Sequence, residues 1–497
     1  MLTINYREKY RPQFHFTPPA NWMNDPNGMV YFEGEYHLFY QHHPDGTSWG
    51  PMHWGHAISS DLIHWEHCPI ALKPDENGAI FSGSAVVDWE DTSGLFSGQP
   101  GLVAIFTHAD QYPDSDRPRQ RQSLAYSTDK GRTWSLYEGN PVLCDEQIVD
   151  FRDPKVFWHT DSQRWIMVIA AGDRVHIYTS PNLKVWEFAS EFGAAEGSHD
   201  GVWECPDLIE LPVEGQENAS KWVMIVSIGD NPAFQEGSRT QYFVGHFDGQ
   251  AFTNDDSTET VLWLDHGRDN YAGVTWSDVD RTDNGKLFIG WMSNWKYANL
   301  TPTDSWRSAM TLPRLLSLRS VRDGIRLVQK PLTDVQKLRQ QTQLWEEVYV
   351  SPGQNLLSDM QGDTYEIECE LEIGHASEIG FKLRKSVHEE TIVAYNSVAQ
   401  SLYIDRCNSG EKAFHIAFGC KHEVPLQLEK GRLKLHLFVD QSSIEVFAND
   451  GEIAITDQIF PDPSSTGLEL FVRGGSAKVI SLSLHALKTI YSVATVK

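Results

Sequence analysis

Apolar and polar residues alternate at a period of two along most of the chain, in short runs closed by turn residues. Gly28-Met29-Val30-Tyr31-Phe32-Glu33-Gly34-Glu35-Tyr36-His37-Leu38-Phe39-Tyr40 is typical: two strand-like runs folded about a Glu-Gly pair, which predicts a hairpin. A weak repeat punctuates the first two-thirds. It reads Ser60-Asp61-Leu62-Ile63-His64-Trp65, then Ser127-Thr128-Asp129-Lys130-Gly131-Arg132-Thr133-Trp134, then Ser180-Pro181-Asn182-Leu183-Lys184-Val185-Trp186, and degenerately Phe247-Asp248-Gly249-Gln250-Ala251-Phe252. The closing aromatics fall 69, 52 and 66 residues apart. That interval suits a four-stranded unit, so the repeat predicts a β-propeller of about five blades. An irregular all-β sandwich sharing one turn type is the alternative.

After Pro331 the period changes to i, i+3, i+6 in Leu332-Thr333-Asp334-Val335-Gln336-Lys337-Leu338-Arg339-Gln340, and the residues become helix formers, predicting a short connecting helix. Alternation then returns in Thr364–Ile373, Leu433–Val439 and Ser443–Ala448, the last turning at Asn449-Asp450-Gly451. This second set predicts a β-sandwich. The expected organisation is all-β: a five-bladed propeller over 1–335, a helical linker over 336–347 and a β-sandwich over 348–497.

Composition narrows the function. A chain of 497 residues exceeds one ordinary domain and can bury a large core. No apolar run approaches a membrane span. The formal charge of −27 argues against nucleic acid or an anionic membrane as partner and suits a neutral ligand. The 17 Trp supply flat faces that stack on sugar rings, although most Trp are packing residues. Cys68, Cys144, Cys205, Cys369, Cys407 and Cys420 lack metal or redox spacing. Met1 to Tyr10 has no apolar core of a signal peptide, so the expectation is a cytoplasmic protein, or a secreted one whose signal is absent from this sequence.

Three acidic motifs carry the candidate chemistry: Trp22-Met23-Asn24-Asp25-Pro26-Asn27-Gly28, Phe151-Arg152-Asp153-Pro154-Lys155 and Trp203-Glu204-Cys205-Pro206-Asp207-Leu208. Each sets a carboxylate beside, or one residue from, a proline, which stiffens the backbone there and predicts strand ends or tight loops. At a propeller axis, acids remote in sequence can meet. Glycoside hydrolysis needs two facing carboxylates. Cys205 beside Glu204 raises a thiol nucleophile, against the commoner reading of a small packing residue. His42, His43, His53 and His56 tempt a metal reading, but no acidic or thiol ligand stands at fixed spacing, and neither metal nor cofactor is expected. Asp207 could orient Glu204 or lie on the surface.

These motifs, with Phe81-Ser82-Gly83-Ser84-Ala85, Gly50 to Ala57, Gly290 to Trp295 and Val439 to Phe447, resemble in order the signatures of glycoside hydrolase family 32. The family comprises invertases, inulinases, levanases and fructan exohydrolases, and the resemblance covers nearly the whole chain. It implies a five-bladed propeller followed by a β-sandwich, releasing terminal β-D-fructofuranosyl units with retention. It further implies Asp25 as nucleophile, Glu204 as acid/base and Asp153 as transition-state stabiliser, kept ionised by Arg152 if their side chains meet. Asn24, Gln41, Trp49, Phe81, Ser82, Arg152 and Trp291 match positions lining the fructose pocket. Tyr271 is a candidate beside them; the family often has an aromatic where this chain has Asn270. A fructosyltransferase sharing the same intermediate and a non-catalytic fructan-binding protein are the alternatives. The sandwich could buttress the propeller, bind saccharide or support a homodimer.

Overall fold

The computed structural model describes residues 6–217, 219–279 and 285–491, so part of the Met1 to Tyr10 segment lies outside the described residues. Between Asn21 and Pro331 the strands form five antiparallel sheets in succession, joined by consecutive hairpins. The hairpin read around Glu33-Gly34 joins Asn21–Phe32 to Glu35–His43. Its two turn residues both have positive φ, 46° and 89°, the geometry of a tight two-residue hairpin loop.

All four copies of the repeat occupy the same place in the architecture, the turn between the third and fourth strands of a sheet. The acid or amide at its centre caps the following backbone. Asp61 Oδ1 accepts from Ile63 N at 2.9 Å, Asn182 Oδ1 from Val185 N at 3.0 Å, and Asp248 Oδ1 from Ala251 N at 2.8 Å. The fifth sheet makes the same connection between Arg314–Val321 and Gly324–Pro331 through Arg322-Asp323, without the aromatic.

The first strands of the sheets, Asn21–Phe32, Ala79–Asp88, Phe151–His159, Trp203–Pro212 and Tyr271–Thr275, contact one another in that cyclic order, the last returning to the first. Hydrogen bonds close the ring. Tyr31 N donates to Ser277 O and Ser277 N to Met29 O, both at 3.0 Å. Trp306–Arg307 also pairs in parallel with Asn21-Trp22. Hydrophobic clusters fill the spaces between successive sheets, as around Val103, Ile105, Val156 and Met167.

The short helix expected after Pro331 is present in 3₁₀ form. Thr333–Leu338 is a 3₁₀ turn that buries Val335 and Leu338. A spacing of three fits the 3₁₀ period better than 3.6 over so few residues. The helical linker expected over 336–347 is therefore mostly strand: Arg339–Val350 pairs with Ala477–Leu487 at the edge of a six-stranded sheet. A five-stranded sheet faces it, and Ile367, Leu435, Val446, Phe381, Ile404 and Leu470 form the shared core.

Buried charges join the two halves. Arg314 Nη2 reaches Glu445 Oε2 at 2.6 Å, and Nη1 reaches Asp265 Oδ2 at 3.0 Å. Arg406 binds Asp269 at 2.5 Å, and His15 bridges Asp440 at 2.8 Å and Glu445 at 2.9 Å. The Val439 to Phe447 motif is thus an interface motif, contributing both carboxylates to His15.

Candidate active site

Each inner strand carries a register shift near its start: between Met23 and Pro26, Ile80 and Gly83, Arg152 and Lys155, Glu204 and Asp207, and Tyr271 and Val274. A bulge leaves residues unpaired and turns a side chain out of the pleat. Asp153, Cys205 and Ala272, with φ of 64°, 46° and 52°, are bulge residues on three strands. Proline suits these places because no ladder N–H is required. Asp153 and Glu204 therefore lie at the starts of their strands, as expected, and Asp25 a little further into its own, and the bulges aim all three at the axis.

They converge in a pit of about 510 Å³ at one mouth of the ring, lined by Asp25, Asp153 and Glu204 together with Asn24, Gln41, Trp49, Phe81, Ser82 and Arg152. Asp25 accepts from Ser82 Oγ at 2.7 Å and from Asn24 Nδ2 at 3.0 Å, while Trp22 Nε1 holds the other end of Asn24 at 2.7 Å. Arg152 Nη2 donates to Glu204 Oε1 at 2.8 Å, and the Tyr271 hydroxyl donates to Oε2. Both oxygens of Glu204 are therefore held. Asp153 Oδ2 accepts from Cys205 N at 3.0 Å. The Cys205 thiol lies 3.6 Å from a carboxylate oxygen of Asp25 and 3.6 Å from one of Asp153, so one small side chain spans the two acids.

Burial and neighbouring charges in this partly enclosed pit shift Asp25 and Asp153. Burial, and then the facing charge of Glu204, push the Asp25 carboxyl above the ordinary aspartate range. Asp153 is pushed up to about 7 by burial, against the opposing pull of Arg152. Arg152 favours the ionised form, as expected, but with Nε 3.9 Å away and the fork engaged by Glu204 and Asp150 its pull does not offset the burial. Burial and the surrounding acids hold the Cys205 thiol far above its usual range, which removes it as a thiolate nucleophile.

Two expected residues change place. Trp291 is fully buried, its ring packed between Trp22 and Tyr271, so it does not line the pit. Trp295, on the loop beyond that strand, lines it instead and packs tilted against Trp291 at 4.8 Å. Asp207 is buried and does not touch Glu204. It takes Lys155 Nζ at 3.2 Å and Thr275 N at 2.7 Å beneath the bulges. Gln41 is buried with its Nε2 unpartnered, a free donor in the pit wall, and Trp49 stands 48 % exposed at the rim.

Sequence reading missed Asp150, Gln120 and Asp110. Asp150 and Gln120 accept from Arg152 Nη1, and Asp110 is held at the rim by Arg119 and Arg121. Their only signal is the polar run Arg119-Gln120-Arg121-Gln122 inside a strand with a buried face.

The histidines bond their own neighbourhood: His42 to Trp22 O, His43 to Ser48 O, His53 to Pro51 O, and His56 to His37. Among the described residues, Glu366, Glu368 and His436 bring possible ligand atoms within 4.8 Å of one another, but Arg339 already bonds both carboxylates.

Residues 15–331 match the model of the glycosyl hydrolases family 32 N-terminal domain, and 334–486 that of the family 32 C-terminal domain. The levanase of Bacillus subtilis is 54% identical over 492 residues, covering 98% of this chain and 72% of that protein. The extracellular exo-inulinase of Aspergillus awamori is 38% identical, covering 98% of this chain and 96% of that one. The crystal structure of exo-inulinase from that fungus superimposes with a TM-score of 0.89 at 37% identity, over 98% and 100% of the two chains. Fructofuranosidase from Schwanniomyces occidentalis complexed with fructose gives 0.86 at 33% identity, over 98% and 100%. With both halves matched and the acids gathered at the axis, the chain belongs to glycosyl hydrolase family 32 and is a glycoside hydrolase.

Proposed function

We propose that the protein is a retaining, exo-acting β-fructosidase that removes terminal β-D-fructofuranosyl units from fructans and sucrose. The observation that carries this reading is the convergence of Asp25, Asp153 and Glu204 in one pit, with Glu204 held by Arg152 and Tyr271. The levanase, exo-inulinase and fructofuranosidase relatives support it.

Asp25 attacks the anomeric carbon while the bond to the leaving oxygen breaks, and Glu204 gives that oxygen its proton. A fructosyl ester on Asp25 results. Glu204, now a carboxylate, takes a proton from water, the water oxygen bonds the anomeric carbon, and Asp25 leaves. Ser82 and Asn24 orient the nucleophile through the bonds they already make to it. Asp153 sits where it can bind ring hydroxyls and offset charge developing on the sugar. The free amide of Gln41, with Trp49, Phe81 and Arg152, would bind the remaining hydroxyls and ring faces.

The five sheets are read as five blades of a catalytic domain over 1–335, and the two facing sheets from Arg339 onward as a sandwich domain whose first role is buttressing. A homodimer through the sandwich would show as twice the chain mass in light scattering. Incubation with sucrose, inulin and levan should release free fructose from at least one of them. No fructose from any of the three, by folded protein, would refute the assignment.

A further inference from the structure

At the opposite mouth of the ring, the far ends of the same inner strands enclose a second cavity of about 660 Å³. Val86 to Trp89, Phe157 to His159, Leu208 to Glu210 and Thr275 to Asp278 line it. The pit uses the beginnings of those strands, so the axis separates the two sites. Nothing in the proposed reaction needs this second opening.

Its lining is aromatic and ordered. Trp89 is 52 % exposed, yet its indole N–H donates to Asp278 Oδ1 at 2.9 Å. Asp278 Oδ2 in turn accepts from Val87 N at 2.9 Å, and the ring of Phe32 stands edge-on to Trp89 at 5.8 Å. An exposed indole held by one hydrogen bond and one ring contact presents its face to solvent at little cost in side-chain entropy. Trp158 and Trp222 stand half-buried across the opening, Trp158 against Trp165 at 5.2 Å and Trp222 against Phe157 at 5.6 Å.

The charges disfavour an anionic ligand. Acidic side chains outnumber lysines around the cavity, which disfavours anions. Asp278 and Asp88 are spent on Trp89, Val87, Thr92 and Ser93, and Lys155 on Asp207 and Thr275, so these three charges of the wall are already partnered. Flat aromatic faces with a polar rim and partnered charges in the wall match a neutral polyhydroxylated ligand.

We propose that this cavity is a second carbohydrate site that holds a segment of the fructan polymer remote from the end being cleaved. The inference rests on the β-fructosidase reading. Because the two mouths face apart, a short sugar occupying one cannot reach the other, whereas a branched polymer can engage both. The second contact then acts by raising the local concentration of chain ends.

Trp89→Ala is the test, with Trp89→Phe as the variant that keeps a ring. For Trp89→Ala, kcat and KM on sucrose should equal those of the parent. KM on levan should rise about three- to tenfold, the scale of one aromatic contact. Trp89→Phe should lie between. In a levan-containing native gel, Asp25→Ala protein should be retarded more than Asp25→Ala/Trp89→Ala. Equal retardation of those two proteins with unchanged levan KM would overturn the second site. Absence of fructose release from sucrose by the parent would instead overturn the underlying reading.

Discussion

At the residue scale, the pit holds more negative charge than its single arginine can balance, and this sets both its chemistry and its cost. Asp25→Ala and Glu204→Ala should each lower kcat by several orders of magnitude on sucrose, because each removes a group that makes or breaks a bond. Azide should restore turnover of the Glu204 variant on a substrate with a good leaving group, by replacing water at the second step. A Glu204→Ala enzyme with near-parental kcat on sucrose would refute the acid role. Asp153 gives a prediction of opposite sign for stability. Its carboxyl is raised to about 7 in the fold against an ordinary value of 3.8, so the folded state holds the proton more tightly than the unfolded chain. Stability from this group is complete below the unfolded value and is lost as pH rises through about 7. Asp153→Asn should therefore abolish most activity yet stabilise the protein at pH 8 by about 1–3 kcal/mol, with little difference near pH 4. Thermal unfolding at the two pH values measures this, and a variant less stable than the parent at pH 8 would count against it.

At the element scale, one device is used five times. Every inner strand begins with a bulge, and the side chains at or just before the bulges form the pit. Beneath three of them lies a buried brace: Lys155 Nζ, two residues past Asp153, meets Asp207, three residues past Glu204, and Thr275 O at 2.6 Å on the strand of Tyr271. Lys155→Met would strand the Asp207 charge in a dry interior and should cost about 3–5 kcal/mol. Lys155→Met/Asp207→Asn should recover much of that, because no unpaired charge remains; a double variant as unstable as the single would refute the brace. The motifs were legible because Pro, Gly and an acid at fixed spacing leave a local imprint, as Asp61, Asn182 and Asp248 do in the turns. The brace was not, since nothing adjacent to Asp207 announces a lysine 52 residues away. Trp291 and Trp295 were exchanged for a related reason. Both belong to one motif, and only the packing of Trp22 and Tyr271 decides which indole is enclosed. The helix after Pro331 was legible but not its end, because the spacing of Leu332, Val335 and Leu338 says nothing of the pairing with Ala477–Leu487 that makes strand of Arg339–Val350.

At the scale of the whole molecule, the two halves are joined by buried charges that titrate. Burial alone would lower the His15 pKa, but hydrogen bonds to Asp440 and Glu445 raise it to about 9 from 6.5. His422 is raised likewise to about 9 by Asp457, again despite burial, and Asp457 also receives Arg268 N from the propeller half at 3.0 Å. In both, the folded state binds the proton more tightly. The stabilisation is fully present below 6.5, the unfolded value, and is lost as pH rises through about 9. Asp153 has lost its contribution once the pH passes about 7, so the fall between pH 7.5 and 9 isolates the interface. Thermal unfolding followed at pH 6, 7.5 and 9 should give a falling midpoint between the first and last. His15→Gln should be less stable than the parent at pH 6 by about 1–3 kcal/mol and should show a shallower fall toward pH 9. Because His15, Arg314 and Arg406 all reach carboxylates across or beside the boundary, loosening it removes support from both halves. One cooperative transition is therefore expected at pH 6, and an independent early transition of the sandwich should emerge, if at all, only at pH 9. An unchanged slope in His15→Gln would show that the interface is not what titrates.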